Sequence, residues 1–521
     1  MLKVIKELKT NTKIYLLIIV TLFFTTYFPH TLIMNENIST IEAFEVDASL
    51  MVDSVFQHLQ TYNLQVGYMS KFYGWSYFFI NYLILKPINL LQNIFFINDP
   101  SYNIFLVKVV YFLISLSSCI VLFFLLKKIF KKDIVAFIGT LLYIFPPLKT
   151  EFFTDIKPET TGLLFLFLSQ IFLIKFIESK KEKMLFWYLL GITSLTLSAL
   201  AKQSFIFLIP PTILSYYLYY VQKNQLNFWR NIFTKKTFLV ILFSLFVVAV
   251  ITFIVYPHLF RHPDNFINAQ KLLLNDHSGN GPLVLKGIEL FKAWKNAIWN
   301  NQFLKMIIFS YPIAIIISLL NKKLILRKFF IVNFLLLPIL IFIVCKNSGL
   351  FVVPNYIAPF LSLFLIILLL PFSIVLNIKH IFIKYILIIF YAFLFLTFIL
   401  TQLFSTHTYL ENRKNYKQSD VYQVYNYISK EIPKGSKLAV SQDVLVPKNE
   451  DGSIAYPVCT WWQNCGLKPH LDDFKPDYLI FINNTIHNGI QPKYYLNYTD
   501  YIKDHHFQLQ TTIEKFVIYK R

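Results

Sequence analysis

Between Met34 and Ser70 the chain carries Glu36, Glu42, Glu45, Asp47 and Asp53 and neither Lys nor Arg. Sequence neighbours therefore do not neutralise these carboxylates. Asp47 differs from the rest in being followed by Ala48, Leu50, Met51 and Val52. A carboxylate on an apolar background is partly desolvated, which raises its basicity and suits it to take a proton from an attacking hydroxyl. The same placement also fits an acidic cap on a helix beginning near Ala48. A second polar stretch, residues 258–301, reverses the sign. It holds Arg261, Lys271, Lys286, Lys292 and Lys295 against Asp264, Asp276 and Glu289, with His258, His262 and His277. Basic groups beside a membrane can hold a lipid phosphate. His277 sits among Gly and Asn, so a solvent-exposed turn is its other reading. An acid for a hydroxyl and a base for a phosphate suit the transfer of a group from a lipid phosphate.

The elements that must position these groups are membrane spans. Hydrophobic residues make up 56% of the 521, aromatics 18% and charged residues only 15%, far from a soluble composition. Apolar stretches able to cross a hydrocarbon core of about 30 Å lie near 14–33, 104–126, 134–149, 160–177, 184–201, 204–222, 237–257, 302–320, 329–345, 353–377 and 381–403. The first follows Lys3, Lys6, Lys9 and Lys13 and has no small-residue cleavage site, so it reads as a retained anchor with the N-terminus in the cytoplasm. Residues 73–97 are apolar too, but Asn81, Lys86, Pro87, Asn89, Gln92 and Asn93 argue for an amphipathic interfacial helix. Leaving that segment out of the count puts Lys127, Lys128, Lys131, Lys132, Lys180, Lys223, Lys322, Arg327 and Lys328 on the cytoplasmic side, as the positive-inside rule expects. The net charge of +21 then reports topology and does not point to nucleic acid.

Eleven spans divide the chain into a membrane part, 1–403, with external loops 34–103 and 258–301, and an external soluble domain, 404–521. The soluble pattern is α/β. Lys437–Val440, Tyr478–Ile482 and Phe516–Tyr519 read as strands, and Val421–Ile432 as a helix stopped by Pro433 and Gly435. Cys459 and Cys465 fall in this domain, and a disulfide between them fits an oxidising compartment; two buried thiols are the alternative.

The order of these features resembles the GT-C glycosyltransferases that use polyprenyl-phosphate-linked sugars, a group that includes the protein O-mannosyltransferases of glycosyltransferase family 39 type and the aminoarabinose transferase acting on lipid A. In that family the catalytic Asp lies just beyond the first span, where this chain has Phe44-Glu45-Val46-Asp47-Ala48. An aromatic interfacial segment is matched by Tyr73-Gly74-Trp75-Ser76-Tyr77. The carboxylate after the third span is matched by Lys157-Pro158-Glu159-Thr160, with Asp155 beside it. The basic element closing the fifth span resembles Ala201-Lys202-Gln203. Asn355-Tyr356-Ile357-Ala358-Pro359 resembles the start of a late span, with Asn355 where the family has Arg. The resemblance implies a GT-C fold in a bacterial inner membrane, with the C-terminal domain extracytoplasmic. It further implies an inverting sugar transfer from a polyprenyl-phosphate donor to a hydroxyl on a lipid, glycan or protein of the cell envelope. Asp47 would then orient or deprotonate that hydroxyl, with Glu159 and Asp155 as further catalytic carboxylates. Lys71, Lys202, Arg261 and His277 would stabilise the departing phosphate.

Two other readings use the same residues. Cys459-Thr460-Trp461-Trp462-Gln463-Asn464-Cys465 resembles the Trp-Trp-Asp-Tyr-Gly signature of oligosaccharyltransferases, but Gln463 and Asn464 depart from it. A transporter or lipid flippase would place ionisable groups at mid-span and show internal repeats, and neither feature is evident here. External carboxylates could bind Mg or Mn through oxygen, although no spacing defines such a site. The sugar, the acceptor and the oligomeric state have no signature.

Overall fold

The computed structural model describes residues 9–31, 51–52, 54–55, 58–59, 74–94, 100–145, 153–225, 234–264, 267–268, 271, 292, 295, 301–322, 324–347, 357–441, 444–447, 455–460, 468–482 and 498–521. Each of the eleven apolar stretches contains a helix among the described residues. The order begins with α1 (Thr10–Thr31), α2 (Trp75–Ile94), α3 (Pro100–Phe130), α4 (Asp133–Ile144) and α5 (Pro158–Glu178). It continues with α6 (Met184–Ala201), α7 (Ile209–Lys223), α8 (Lys235–Val255) and a four-residue α9 (His258–Arg261). The last membrane elements are α10 (Gln302–Leu320), α11 (Arg327–Asn347), α12 (Leu361–Val375) and α13 (Ile381–Lys414). Nine helical segments among the described residues are long and apolar enough to cross a membrane. The 12-residue α4 is shorter, α11 carries Arg327, Lys328 and Lys346 at its ends, and α2 is not one of the nine.

The outer surface differs from that of a soluble protein. On α8 and α13 the large apolar side chains point outward, with Phe393 and Phe404 more than 70% exposed. In water such surface would drive aggregation, whereas in hydrocarbon it is the matching face. The chain is thus a polytopic helical membrane protein. At its centre α12 is buried along almost its whole length, as expected of a helix that is apolar on every side, and it packs against α10, α4 and α13. Sparse polar contacts join the helices inside. Gln170 on α5 donates to the Ser362 hydroxyl of α12 at 3.0 Å, and the Ser118 and Tyr143 hydroxyls meet at 3.0 Å between α3 and α4. Such bonds contribute modestly in membranes, and close packing does the rest.

α2 is half covered. Its sides are not those of the amphipathic helix expected of 73–97: Asn81 and Lys86 are buried with Tyr77, Phe78 and Leu85, the Lys86 ammonium donating to the Leu59 carbonyl at 2.8 Å, while the exposed side carries Leu83, Ile84 and Leu90. Gly162 lets α5 approach the short 3₁₀ helix Gln203–Leu208, since a Cβ there would lie 2.5 Å from the ring of buried Phe205. Gly162→Ala should therefore destabilise the protein by about 1–3 kcal/mol through overpacking, readable as a lowered melting temperature of the detergent-solubilised chain.

The C-terminal part holds a five-stranded sheet in the order β2-β1-β3-β5-β4. Its elements are α14 (Asp420–Glu431), β1 (Leu438–Val440), β2 (Val458–Thr460), α15 (Lys468–Phe474), β3 (Tyr478–Ile482), α16 (Tyr498–Asp504), β4 (Gln508–Ile513) and β5 (Phe516–Lys520). β1 pairs parallel with β2 and β3, and β5 pairs antiparallel with β3 and β4. The period-2 alternation sorts side chains onto two faces. Leu438, Val440, Ile480, Phe516 and Ile518 pack with Val424 and Ile428 of α14. Ala439, Leu479, Phe481 and Val517 pack with Leu471 of α15 and Tyr501 of α16. The sheet is covered on both sides, a small α/β unit as the sequence suggests. Cys459 on β2 is disulfide-bonded, and Cys465 lies outside the described residues.

Candidate functional site

The charged groups in the bundle gather at two opposite ends. One holds Lys127, Lys128, Lys132, Asp133, Glu178, Lys223, Arg327 and Lys328, where Lys127 and Asp133 pair at 3.0 Å and Lys128 and Glu178 at 3.5 Å. The other is built around the start of α5. There Pro158 occupies the first helical turn and needs no amide partner, Lys157 before it is extended (φ −130°), and Glu159 lies in the same turn. Each choice follows from local chemistry: proline is pre-set for a first turn, the residue before it is pushed out of helical space, and a carboxylate is favoured by the helix dipole. α6 runs antiparallel to α5 and ends at Ala201. Lys202 follows in extended conformation (φ −152°) at the negative end of that helix. The two charges therefore complement their own helices and meet each other: the Lys202 ammonium pairs with Glu159 Oε1. Glu159 is 2% exposed and Lys202 13%. The Ser198 hydroxyl donates to the Gly162 carbonyl at 2.7 Å and keeps the two helix ends in register.

Four residues before Glu159, Asp155 has a distant partner. Arg413, one residue before the end of α13, pairs through Nη1 with Asp155 Oδ1, and the two side chains are 3% and 0% exposed. The Tyr409 hydroxyl, one turn earlier on α13, donates to both oxygens of the same carboxylate at 3.0 and 2.9 Å. A buried carboxylate met by a guanidinium and a phenol is fixed in place. The last span is thereby locked to the segment that opens α5. Tyr111 on α3 stands near both carboxylates and bonds the Thr160 hydroxyl at 2.9 Å. Lys157 and Lys108 are buried in the same region, so this end of the bundle is rich in cations.

An aromatic wall adjoins Lys202. Gly74 adopts φ +88°, a conformation open to glycine at little cost, and its amide donates to the Ala201 carbonyl at 2.8 Å. The next residue, Trp75, stacks on Tyr256 just past α8, with ring centroids 4.4 Å apart. Gly74→Ala would strain the backbone by about 1–2 kcal/mol and bring a Cβ to 3.0 Å from the Phe78 ring. We expect that variant to fold, to lose heat stability, and to lose activity by more than its loss of folded protein explains. Initial rates normalised to folded protein check this.

Of the groups singled out from the sequence, the structure brings together Asp155, Glu159 and Lys202. Arg261 is exposed at the end of α9. Asp47, Lys71, Tyr73, His277, Tyr356 and Cys465 lie outside the described residues. No group of three or more His, Cys, Asp or Glu able to hold a metal occurs among the described residues. Arg413 and Tyr409 escaped the sequence reading. Thr406, Tyr409 and Arg413 recur at helical spacing directly after the apolar run 381–403, and that spacing was the available signal.

Residues 88–256 match the family model described as dolichyl-phosphate-mannose-protein mannosyltransferase. The matched stretch includes Asp155, Glu159 and Lys202, and it bears out the resemblance to the GT-C glycosyltransferases. It supports, in general terms, an integral membrane glycosyltransferase that draws on a polyprenyl-phosphate-linked sugar. No curated protein matches the chain.

Proposed function

We propose that this membrane glycosyltransferase moves a sugar from a polyprenyl-phosphate donor to a hydroxyl of a cell-envelope acceptor, with inversion, on the extracytoplasmic face of a bacterial inner membrane. The observation that carries the reading is the Glu159–Lys202 pair at one end of the bundle, inside the stretch that matches the mannosyltransferase family model. In the reaction the acceptor oxygen forms a bond to the anomeric carbon as the bond from that carbon to the phosphate oxygen breaks. The electron pair leaves with the lipid phosphate, and the hydroxyl proton goes to a carboxylate.

Asp155 and Glu159 are each paired with a cation. The base role falls to Asp47, and the two paired carboxylates serve as positioning residues. A phosphate leaving group needs its charge met more than it needs a proton. Glu159 orients the Lys202 ammonium, and Lys202 stands at the end of the bundle where the donor phosphate would enter. Lys71, Arg261 and His277 are the further candidates for that task. Trp75 and Tyr256, stacked on each other and buried, brace the backbone beside Lys202. The α/β domain follows the end of α13 that pairs with Asp155, and we assign it to the extracytoplasmic side with the acceptor.

The test is transfer of radiolabelled sugar from synthetic polyprenyl-phosphate mannose, glucose and aminoarabinose in membranes containing the full chain, with products sorted into lipid, glycan and protein fractions. Label in one fraction that depends on the protein supports the reading and names the acceptor. If no donor is consumed while the protein instead moves polyprenyl phosphate across vesicles, the enzyme reading gives way to a flippase.

A further inference from the structure

At the end of the bundle opposite Glu159 and Asp155, a cavity of about 480 Å³ opens between the ends of α5 and α7 and the turn joining α10 to α11. That size falls within the roughly 300–1,000 Å³ of small-molecule sites. Lys223, Lys322, Arg327 and Lys328 line it, and no carboxylate pairs with any of them among the described residues. Glu178, next in the chain to the lining residue Ile177, turns instead to Lys128 at 3.5 Å.

Three of the four cations are held by neutral groups that orient them without cancelling their charge. Lys223 donates to the carbonyls of Ile177 at 3.0 Å, Phe176 and Ser179. Arg327 donates to the Ser318 and Leu319 carbonyls at 3.1 and 2.7 Å, and Lys328 to the Leu218 carbonyl at 3.2 Å. These bonds cap the ends of α5, α10 and α7, where a cation is favoured. Capping accounts for each cation singly. It does not account for their convergence on one cavity, nor for Lys322, which is exposed and has no such bond. Arg327 spends two of its five donors on the carbonyls and keeps the rest for an anion.

The walls are apolar, with Phe176, Ile177, Leu324 and Ile325. Beside them Leu319 and Leu320 of α10 are exposed, Leu320 by 75%, on the surface that faces hydrocarbon. A cationic floor continuous with a lipid-facing surface fits a molecule with an anionic head and acyl chains better than a free ion. We propose that this cavity binds the phosphate of an anionic membrane phospholipid, separately from the sugar-transfer site.

The full chain in detergent, examined by native mass spectrometry, tests it with dioleoylphosphatidylglycerol, dioleoylphosphatidylcholine and inorganic phosphate as probes. Phosphatidylglycerol should be retained at least tenfold better than phosphatidylcholine, and inorganic phosphate should not displace it. Lys322→Glu, in an exposed turn, and Arg327→Gln should each weaken retention about tenfold. Lys379→Glu, exposed in the turn between α12 and α13 at the same end, should change it less than twofold. Unchanged retention in Lys322→Glu, equal retention of phosphatidylcholine, an equal loss in Lys379→Glu, or displacement by inorganic phosphate would each overturn the assignment. Sugar transfer is not read in this experiment, so its outcome is independent of the proposed activity.

Discussion

Arg413→Ala should be among the most damaging single substitutions in the membrane region. It would take the guanidinium away from the Asp155 carboxylate, which is 0% exposed and also receives the Tyr409 hydroxyl. Removing one partner of a buried pair costs about 3–5 kcal/mol, because the remaining charge has lost its counter-ion without regaining water. The expected result is a large fall in folded protein and in melting temperature, with transfer lost. A paired substitution separates structure from function. Replacing both charges by apolar residues of similar size is often neutral for stability, so Asp155→Leu with Arg413→Met should recover much of the folded protein. If the pair also positions the start of α5, transfer should stay at least tenfold down in that double variant. Full recovery of transfer would make the pair purely structural.

Lys202→Met should have the other large effect, on rate more than on folding. Lys202 is partly exposed and Glu159 is not, so the variant leaves a buried carboxylate facing the place we assign to the donor phosphate. Loss of one donor aimed at developing charge costs about 10²–10³ in rate, and the uncovered Glu159 adds repulsion toward the leaving phosphate. We expect transfer to fall at least 100-fold, Lys202→Arg to restore part of it, and Lys202→Met with Glu159→Gln to exceed Lys202→Met alone. A lysine that only snorkels at a helix end would show none of that ordering. Steady-state rates at saturating donor, normalised to folded protein, decide between them.

Much of this architecture was legible because each signal was local. The apolar runs marked the helices, Lys157-Pro158-Glu159 announced the start of α5, and Ala201-Lys202 announced the end of α6. The strands at 438–440, 478–482 and 516–520 stood out as buried β-rich runs. β2 was missed because it is only three residues long. β4 was missed because it is an edge strand whose side chains are mostly exposed, with a bulge at Leu509 and Thr511 that breaks its alternation. The Asp155–Arg413 pair joins residues 258 apart, and nothing in either local sequence names the other. The final span was read as stopping at 403 since hydropathy drops there, yet backbone hydrogen bonding carries α13 on to Lys414. Those extra turns place Tyr409 and Arg413 beside Asp155. Lys202 was legible as a candidate, but its antiparallel meeting with Glu159 needed the fold.

The central claim is that an acidic residue beyond the first span acts on the acceptor hydroxyl while the paired charges at the start of α5 hold the donor end. Asp47→Asn tests it most directly, because the substitution keeps the shape of the side chain and removes its charge. In membranes with equal amounts of wild-type and variant protein, transfer of labelled sugar from the polyprenyl-phosphate donor should fall at least 1,000-fold, roughly the weight of a general base together with its electrostatic share, while donor binding changes little. Transfer within a factor of two of wild type would contradict the account and take Asp47 out of the mechanism.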